Sequence, residues 1–146
     1  MKEYESIGRY ISYLYRMGQC YINRRLEPFC IGSGQFAFLM VLYMEDGISQ
    51  EELSERILVD KATTGRAIKK LVEEGYVVRH RDPKDKRSYQ IYLTPKANSL
   101  KSTIFEILKE WNELLLNGID EPERDCGLGM IKKMVANVTT SKKSST

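Results

Sequence analysis

Between residues 49 and 94 the spacing of apolar positions changes from helical to alternating. Ser49 stands three residues before Glu52, so its hydroxyl can accept the Glu52 amide while the Glu52 carboxylate returns to the Ser49 amide. Ile48 and Leu53 flank this box as a hydrophobic staple. The combination predicts a helix from about Gln50 to Ile57, with Leu53 and Ile57 one turn apart on its inner face. Leu58 and Val59 carry a turn, Asp60 caps a second helix, and Gly75 ends it in the left-handed conformation. On a helical wheel Thr64, Ala67, Ile68, Leu71 and Val72 share one side of that helix, and Ala62, Thr63, Arg66, Lys69, Lys70 and Glu73 the other. Tyr76 to Arg81 is rich in β-formers, and Tyr89, Ile91 and Leu93 alternate with Gln90 and Tyr92. Asp82-Pro83 starts a turn, which leaves Lys84, Asp85, Lys86 and Arg87 at the tip of a hairpin.

The flanking segments are helical in period. Ile7, Tyr10, Ile11, Leu14, Met17, Tyr21, Ile22 and Leu26 predict one helix over residues 6 to 26, ended by Pro28. Residues 31 to 34 read as a loop. Phe36 to Met44 is a run of nine residues, too short to span a membrane and suited to a buried core helix. Thr94 as cap and Pro95 in the first turn open a helix that reaches about Asn117, stopped by Gly118. Leu100, Ile104, Ile107, Leu108, Trp111, Leu114 and Leu115 form its stripe over a rod of about 33 Å, more length than a small reader domain can cover. Asp120 and Glu123 cap a last helix carrying Cys126, Ile131, Met134, Val135 and Val138. The polar residues 139–146 read as a disordered tail.

The predicted fold is therefore mainly α with a small β-hairpin wing. A winged helix-turn-helix domain, 33–95, lies between an N-terminal dimerisation helix, 1–32, and C-terminal dimerisation helices, 96–138. Two apolar helical ends on one chain most economically bury each other across a two-fold axis, which predicts a homodimer. Its recognition helices then lie about one DNA turn apart, and the target is an imperfect palindrome in double-stranded DNA.

Charge sharpens this picture by where it sits. The whole chain carries only +3, yet residues 60 to 92 hold nine basic side chains against five acidic ones, leaving the remainder at −1. A positive field concentrated on the helix and hairpin is a nucleic-acid footprint. A basic amphipathic helix alone is more often an ordinary surface helix, and the hairpin after it is what shifts the balance. Thr63 and Arg66 are the base-edge candidates, since Arg66 can take a guanine through two hydrogen bonds. Ala62 shares their face. Lys61, Lys69, Lys70, Arg81 and Lys86 suit phosphates, which set affinity and salt dependence.

Enzymatic classes find little support. His80 is the only histidine, no glycine-rich phosphate loop follows a strand, and no metal-ligand cluster is present, so no catalytic residue, metal or cofactor is assigned. Cys20, Cys30 and Cys126 lack zinc-site spacing, and their odd number without a signal peptide fits reduced thiols in the cytoplasm. A winged helix used only for protein contacts is the remaining competitor, distinguished by a covered basic face or by salt-independent binding.

The segment LSERILVDKATTGRAIKKLVEEGYVVRHRDPKDKRSYQIYLTPKA resembles the DNA-binding core of the MarR family of transcriptional regulators. Its most diagnostic piece, DPKDKRSYQIYLTPKA, is similar to the family's wing signature, a DxR followed shortly by LT. The resemblance implies that Arg87 reaches the DNA minor groove and that Asp85 orients it, since an Asp two residues away on a hairpin can hold the guanidinium without cancelling its reach. It also implies a dimer and, as in most members, a repressor. A small, often aromatic and anionic, effector then binds between the dimer helices and the winged domain and releases the DNA. The aromatics of the first forty residues, Tyr10, Tyr13, Tyr15, Tyr21, Phe29, Phe36 and Phe38, could line that pocket or pack in the core. Some members instead sense oxidants through a cysteine near the end of the first helix, a role that falls to Cys20 here; a small buried hydrophobe is the alternative. The chain departs from the family at Gly65, where members commonly carry Ser or Thr. Glycine there removes a contact and costs roughly 1 kcal/mol of helix propensity relative to alanine.

Overall fold

A computed structural model describes residues 5–143, which form six helices, a single 3₁₀ turn and a two-stranded sheet. Ser6 opens the first helix, α1 (Ile7–Leu26), by accepting the Arg9 amide on its hydroxyl at 3.2 Å. Pro28 then tightens the chain into the 3₁₀ turn Glu27–Phe29. The second helix, α2 (Ser33–Met44), starts three residues earlier than its apolar run suggests. The reason is local. The Asn23 side chain accepts the Ser33 amide at 2.6 Å and the Gln35 side chain accepts the Gly32 amide at 2.8 Å, so polar partners from outside the apolar run satisfy the first turn.

The reader follows its sequence signals closely. Helix α3 (Gln50–Ile57) is capped by Ser49, whose hydroxyl accepts the Glu52 amide at 3.0 Å. Leu58 turns the chain in the left-handed region at φ 63°. Helix α4 (Lys61–Glu73) is capped by Asp60 and closed by Gly75 at φ 79°, with the Tyr76 amide reaching back to the Leu71 carbonyl at 2.9 Å. The strands β1 (Val77–Arg81) and β2 (Tyr89–Leu93) pair antiparallel with Val77 opposite Leu93 and Arg81 opposite Tyr89.

A third segment joins this sheet without any periodic signal in the sequence. Residues between α2 and α3 lie along the free side of β2: the Gly47 amide donates to the Ile91 carbonyl and the Ile91 amide to the Ile48 carbonyl, both at 2.9 Å. The Leu93 amide donates to the Asp46 carboxylate at 2.8 Å. Gly47 sits at φ 75°, and a Cβ there would come within 2.7 Å of the Tyr92 ring, so both the turn and the close approach require glycine.

The chain divides into two compact units, the first ending at Lys109 and the second beginning at Glu110. In the first, Leu26, Phe38, Leu39, Leu42, Leu53, Ile68, Leu71, Val77, Ile91 and Ile104 are buried in one core that joins α1 to α5 (Pro95–Leu116) through the reader. Two tyrosines bolt it together. The Tyr43 hydroxyl donates to the Ala97 carbonyl at 2.6 Å, and burial pushes its pKa up to about 12. The Tyr76 hydroxyl donates to the Phe29 carbonyl at 2.6 Å.

In the second unit Gly118, at φ 76°, separates the end of α5 from α6 (Glu121–Lys143). Asp120 and Glu123 exchange the expected capping bonds, and the Arg124 guanidinium donates to the Ile119 and Leu116 carbonyls, closing the end of α5. Residues 139–143, expected to be disordered, continue α6. The Thr139 and Thr140 hydroxyls bond back to the Val135 and Ala136 carbonyls at 2.7 and 2.8 Å, which absorbs their polarity within the helix. The rest of the expected tail, 144–146, lies outside the described residues. No single helix among the described residues is long and apolar enough to cross a membrane.

Candidate nucleic-acid interface

Helix α4 divides as its wheel requires. Thr64, Ala67, Ile68 and Leu71 are buried, whereas Lys61, Ala62, Arg66, Lys69 and Lys70 are exposed and Thr63 is half-buried. Thr64 is polar yet fully buried, and its partner explains it: the Ser54 hydroxyl donates to Thr64 Oγ1 at 2.7 Å, and Thr64 Oγ1 donates to the Asp60 carbonyl at 3.0 Å. This hydroxyl chain fixes α4 against α3. Helix α3 is tied in turn to the end of α2 by Arg56, which bridges Glu45 and Glu52 at 2.6 and 2.5 Å.

On the exposed face the two base-edge candidates are already connected. Arg66 Nη2 donates to Thr63 Oγ1 at 3.2 Å, and the Thr63 hydroxyl and amide donate to the two carboxylate oxygens of Asp60 at 2.7 Å each. Those bonds, the hydroxyl's first, hold the Asp60 carboxyl below the usual carboxylate range. Gly65 leaves room for the Gln50 amide, whose nitrogen lies 3.7 Å from where a Cβ would stand. An alanine there meets only ordinary contact.

The wing presents Arg79, Arg81, Lys84, Lys86 and Arg87 to solvent. Asp85 does hold Arg87, but at the backbone: its carboxylate accepts the Arg87 amide at 3.0 Å, where the sequence reading places it on the guanidinium. A short turn closes more readily through that amide, since Asp side chains bond their own backbone two residues on. Arg79 and Arg81 stack over the Tyr89 ring, with guanidinium carbons 5.5 and 5.7 Å from its centroid. Arg79 and Tyr89 were not among the expected contacts. The alternation that places Tyr89 opposite Arg81 was the signal available for them.

Between wing and helices lies a cleft of about 290 Å³ lined by Gln50, Glu51, Ser54, Lys61, Asp85, Arg87, Ser88 and Tyr89. It brings the wing residues Asp85 and Arg87 together with Lys61 at the start of α4, which pairs with Glu51 at 3.5 Å. Arg66, Lys69 and Lys70 lie outside it.

A second, more open cleft of about 520 Å³ joins the end of α1 to the far end of α4 and is lined by Asn23, Arg24, Glu27, Cys30, Ile31, Gly32, Lys70 and Glu74. None of the N-terminal aromatics lines it. Phe38 is buried, Tyr21, Phe29 and Phe36 pack against the core, and Tyr10, Tyr13 and Tyr15 face outward on α1. Cys20 is exposed on α1, against its reading as a buried hydrophobe, and Cys30 and Cys126 are exposed as well. No cluster of three His, Cys, Asp or Glu side chains among the described residues could hold a metal ion.

Comparison with known proteins agrees with this architecture. Residues 31–88 match the family model described as MarR family. The crystal structure of a MarR transcriptional regulator from Methanosarcina mazei Go1 is 51% identical, covers 92% of this chain and 96% of its own, and superposes with a TM-score of 0.89. The HTH-type transcriptional regulator BilQ of Clostridioides difficile (strain CD3) is 26% identical over 83% of this chain and 82% of its own. A putative MarR family transcriptional regulator from Listeria monocytogenes, solved in complex with a 26mer DNA, is 25% identical over 94% of this chain and 92% of its own, with a TM-score of 0.87. With a mainly helical body, a two-stranded wing and a MarR transcriptional regulator 51% identical along nearly its whole length, the chain belongs to the MarR family and is a winged-helix transcriptional regulator rather than an enzyme.

Proposed function

We propose that the protein is a homodimeric repressor that binds an imperfectly palindromic operator and releases it when a small aromatic or anionic compound binds. The observation that carries the DNA reading is the outward basic face of α4, fixed to the core by its buried stripe and flanked by a cationic wing. In this reading Arg66 and Thr63, with Ala62 beside them, meet base edges in the major groove. Lys61, Lys69, Lys70, Arg81 and Lys86 meet phosphates. Arg87 enters the minor groove from a wing tip held by Asp85. The Listeria monocytogenes relative crystallised with DNA supports the same use of the fold.

Dimerisation is supported by apolar residues the single chain leaves in water. Ile7, Tyr10, Ile11, Leu14 and Met17 on α1 are 49 to 62% exposed, and in the second unit Leu114, Leu128, Ile131, Val135 and Val138 are exposed too. A second copy covers such stripes by two-fold symmetry. Relief by an effector is supported by the cleft of about 520 Å³, which lies within the size range of small-molecule sites and sets Arg24 and Lys70 beside Glu27 and Glu74. A compound there touches α4 itself, and it shifts the regulator only by binding its two states unequally.

A gel-shift assay with the DNA upstream of the chain's own reading frame tests the central reading. Arg87→Ala is expected to weaken binding across sequences, and Arg66→Ala to cost about 1 to 3 kcal/mol and relax one base position. Binding by both variants at the level of the unsubstituted protein overturns these roles.

A further inference from the structure

A hydroxyl has one hydrogen, and an ionised carboxylate only accepts. The Thr63 hydroxyl gives its hydrogen to Asp60 Oδ2 at 2.7 Å, while Asp60 Oδ1 takes the Thr63 amide at 2.7 Å, so the carboxylate is seated by two bonds. One lone pair of Thr63 Oγ1 accepts from Arg66 Nη2 at 3.2 Å. What Thr63 has left for an incoming base is its second lone pair. Arg66 offers only donors.

Resting on the reading of Thr63 and Arg66 as base-edge contacts, we infer that Asp60 is a positioning residue that sets the hydrogen-bonding sense of the reader. Thr63 presents an acceptor and Arg66 presents donors. The half-site therefore carries an exocyclic amino group opposite Thr63, cytosine N4 or adenine N6, beside a guanine opposite Arg66, because these are the major-groove donors and the matching acceptor pair. Asp60 touches no base itself. It acts by polarising Thr63.

This assignment makes Asp60→Asn a switch rather than a loss. The Asn carbonyl oxygen must take the place of Oδ1 to keep the Thr63 amide, which sends its NH₂ group to Thr63 Oγ1 as a donor. Both lone pairs of Thr63 are then occupied, and its hydrogen turns outward. Thr63 becomes a donor, and the favoured partner changes from an amino to a keto group, thymine O4 or guanine O6. Asparagine caps helices as well as aspartate does, so the fold survives and thermal melting stays close to that of the unsubstituted protein.

The test is selection from a pool of random duplex DNA, with sequencing of the bound fraction, for the unsubstituted full chain, Thr63→Val, Thr63→Ser, Arg66→Ala and Asp60→Asn. The unsubstituted chain and Thr63→Ser are expected to prefer an amino-bearing base at one position by roughly three- to tenfold, the size of one net hydrogen bond. Thr63→Val should lose that preference, and Asp60→Asn should invert it. Removing one negative charge raises affinity for every duplex, so the base preference and not the affinity is the readout. If Arg66→Ala and Thr63→Val change no base position, the reading of α4 as the base reader fails and the inference with it. If they relax their positions while Asp60→Asn keeps the amino preference, the inference alone is overturned.

Discussion

The hydroxyl chain from Ser54 through Thr64 ties α3 to α4, and a double-mutant cycle measures its strength. Ser54 is 6% exposed and Thr64 0%, so neither can fall back on water. Thr64→Val keeps the side chain's shape but removes the acceptor for Ser54 and the donor to the Asp60 carbonyl. That carbonyl still holds the Thr64 amide at 3.1 Å, and the freed Ser54 hydroxyl can donate to the Gln50 carbonyl at 3.2 Å, so no buried group is orphaned. The cost is therefore that of hydrogen bonds alone, about 1 to 2 kcal/mol. Ser54→Ala removes one donor from Thr64 and costs about 1 kcal/mol. Both variants break the same 2.7 Å bond, so the double variant should be less destabilised than the sum by about 0.5 to 1.5 kcal/mol. Urea melts at one fixed protein concentration measure this, because the apparent stability of an oligomer depends on concentration. Costs that add to within about 0.3 kcal/mol would show that the bond contributes nothing specific.

Gly65→Ala is expected to stabilise the protein by about 0.4 to 1 kcal/mol in the same melts, since the site is helical and a Cβ meets only the Gln50 amide at ordinary contact distance; destabilisation would mean that α4 cannot accept any side chain there. Tyr43 has its pKa raised by burial from 10.0 to about 12, so the folded state holds its proton more tightly than the unfolded one. Stability is full below pH 10 and is lost as pH rises through 12, and Tyr43→Phe should flatten part of that loss in circular-dichroism melts across this window.

Legibility followed the range of the interactions. Caps at Ser49, Asp60, Thr94 and Asp120, and the stop at Gly75, are decided within a few residues, and those helix ends fall where the sequence places them. The buried side of α4 was readable because a 3.6-residue period records burial directly. What could not be read were bonds between distant segments. Asn23 capping α2 spans ten residues, and Asp46 holding Leu93 spans 47. The orientation of Asp85 failed for a different reason: its backbone and side-chain targets lie on the same residue, and spacing cannot separate them. Thr139 and Thr140 misled because polarity suggested a tail while their hydroxyls had helix carbonyls within reach.

The pairing of residues 46 to 49 with β2 makes that strand an interior one, bonded along both sides although the hairpin itself has only two strands. A slip of β2 by one residue would have to break both seams at once and would turn Ile91 out of the core. The turn at 82–88 is held by bonds within itself, from the Asp82 amide to the Ser88 carbonyl at 2.9 Å and from the Ser88 amide to the Asp85 carbonyl at 3.0 Å. A change of length in that turn is therefore expected to stay within the wing and to leave both seams of β2 in place.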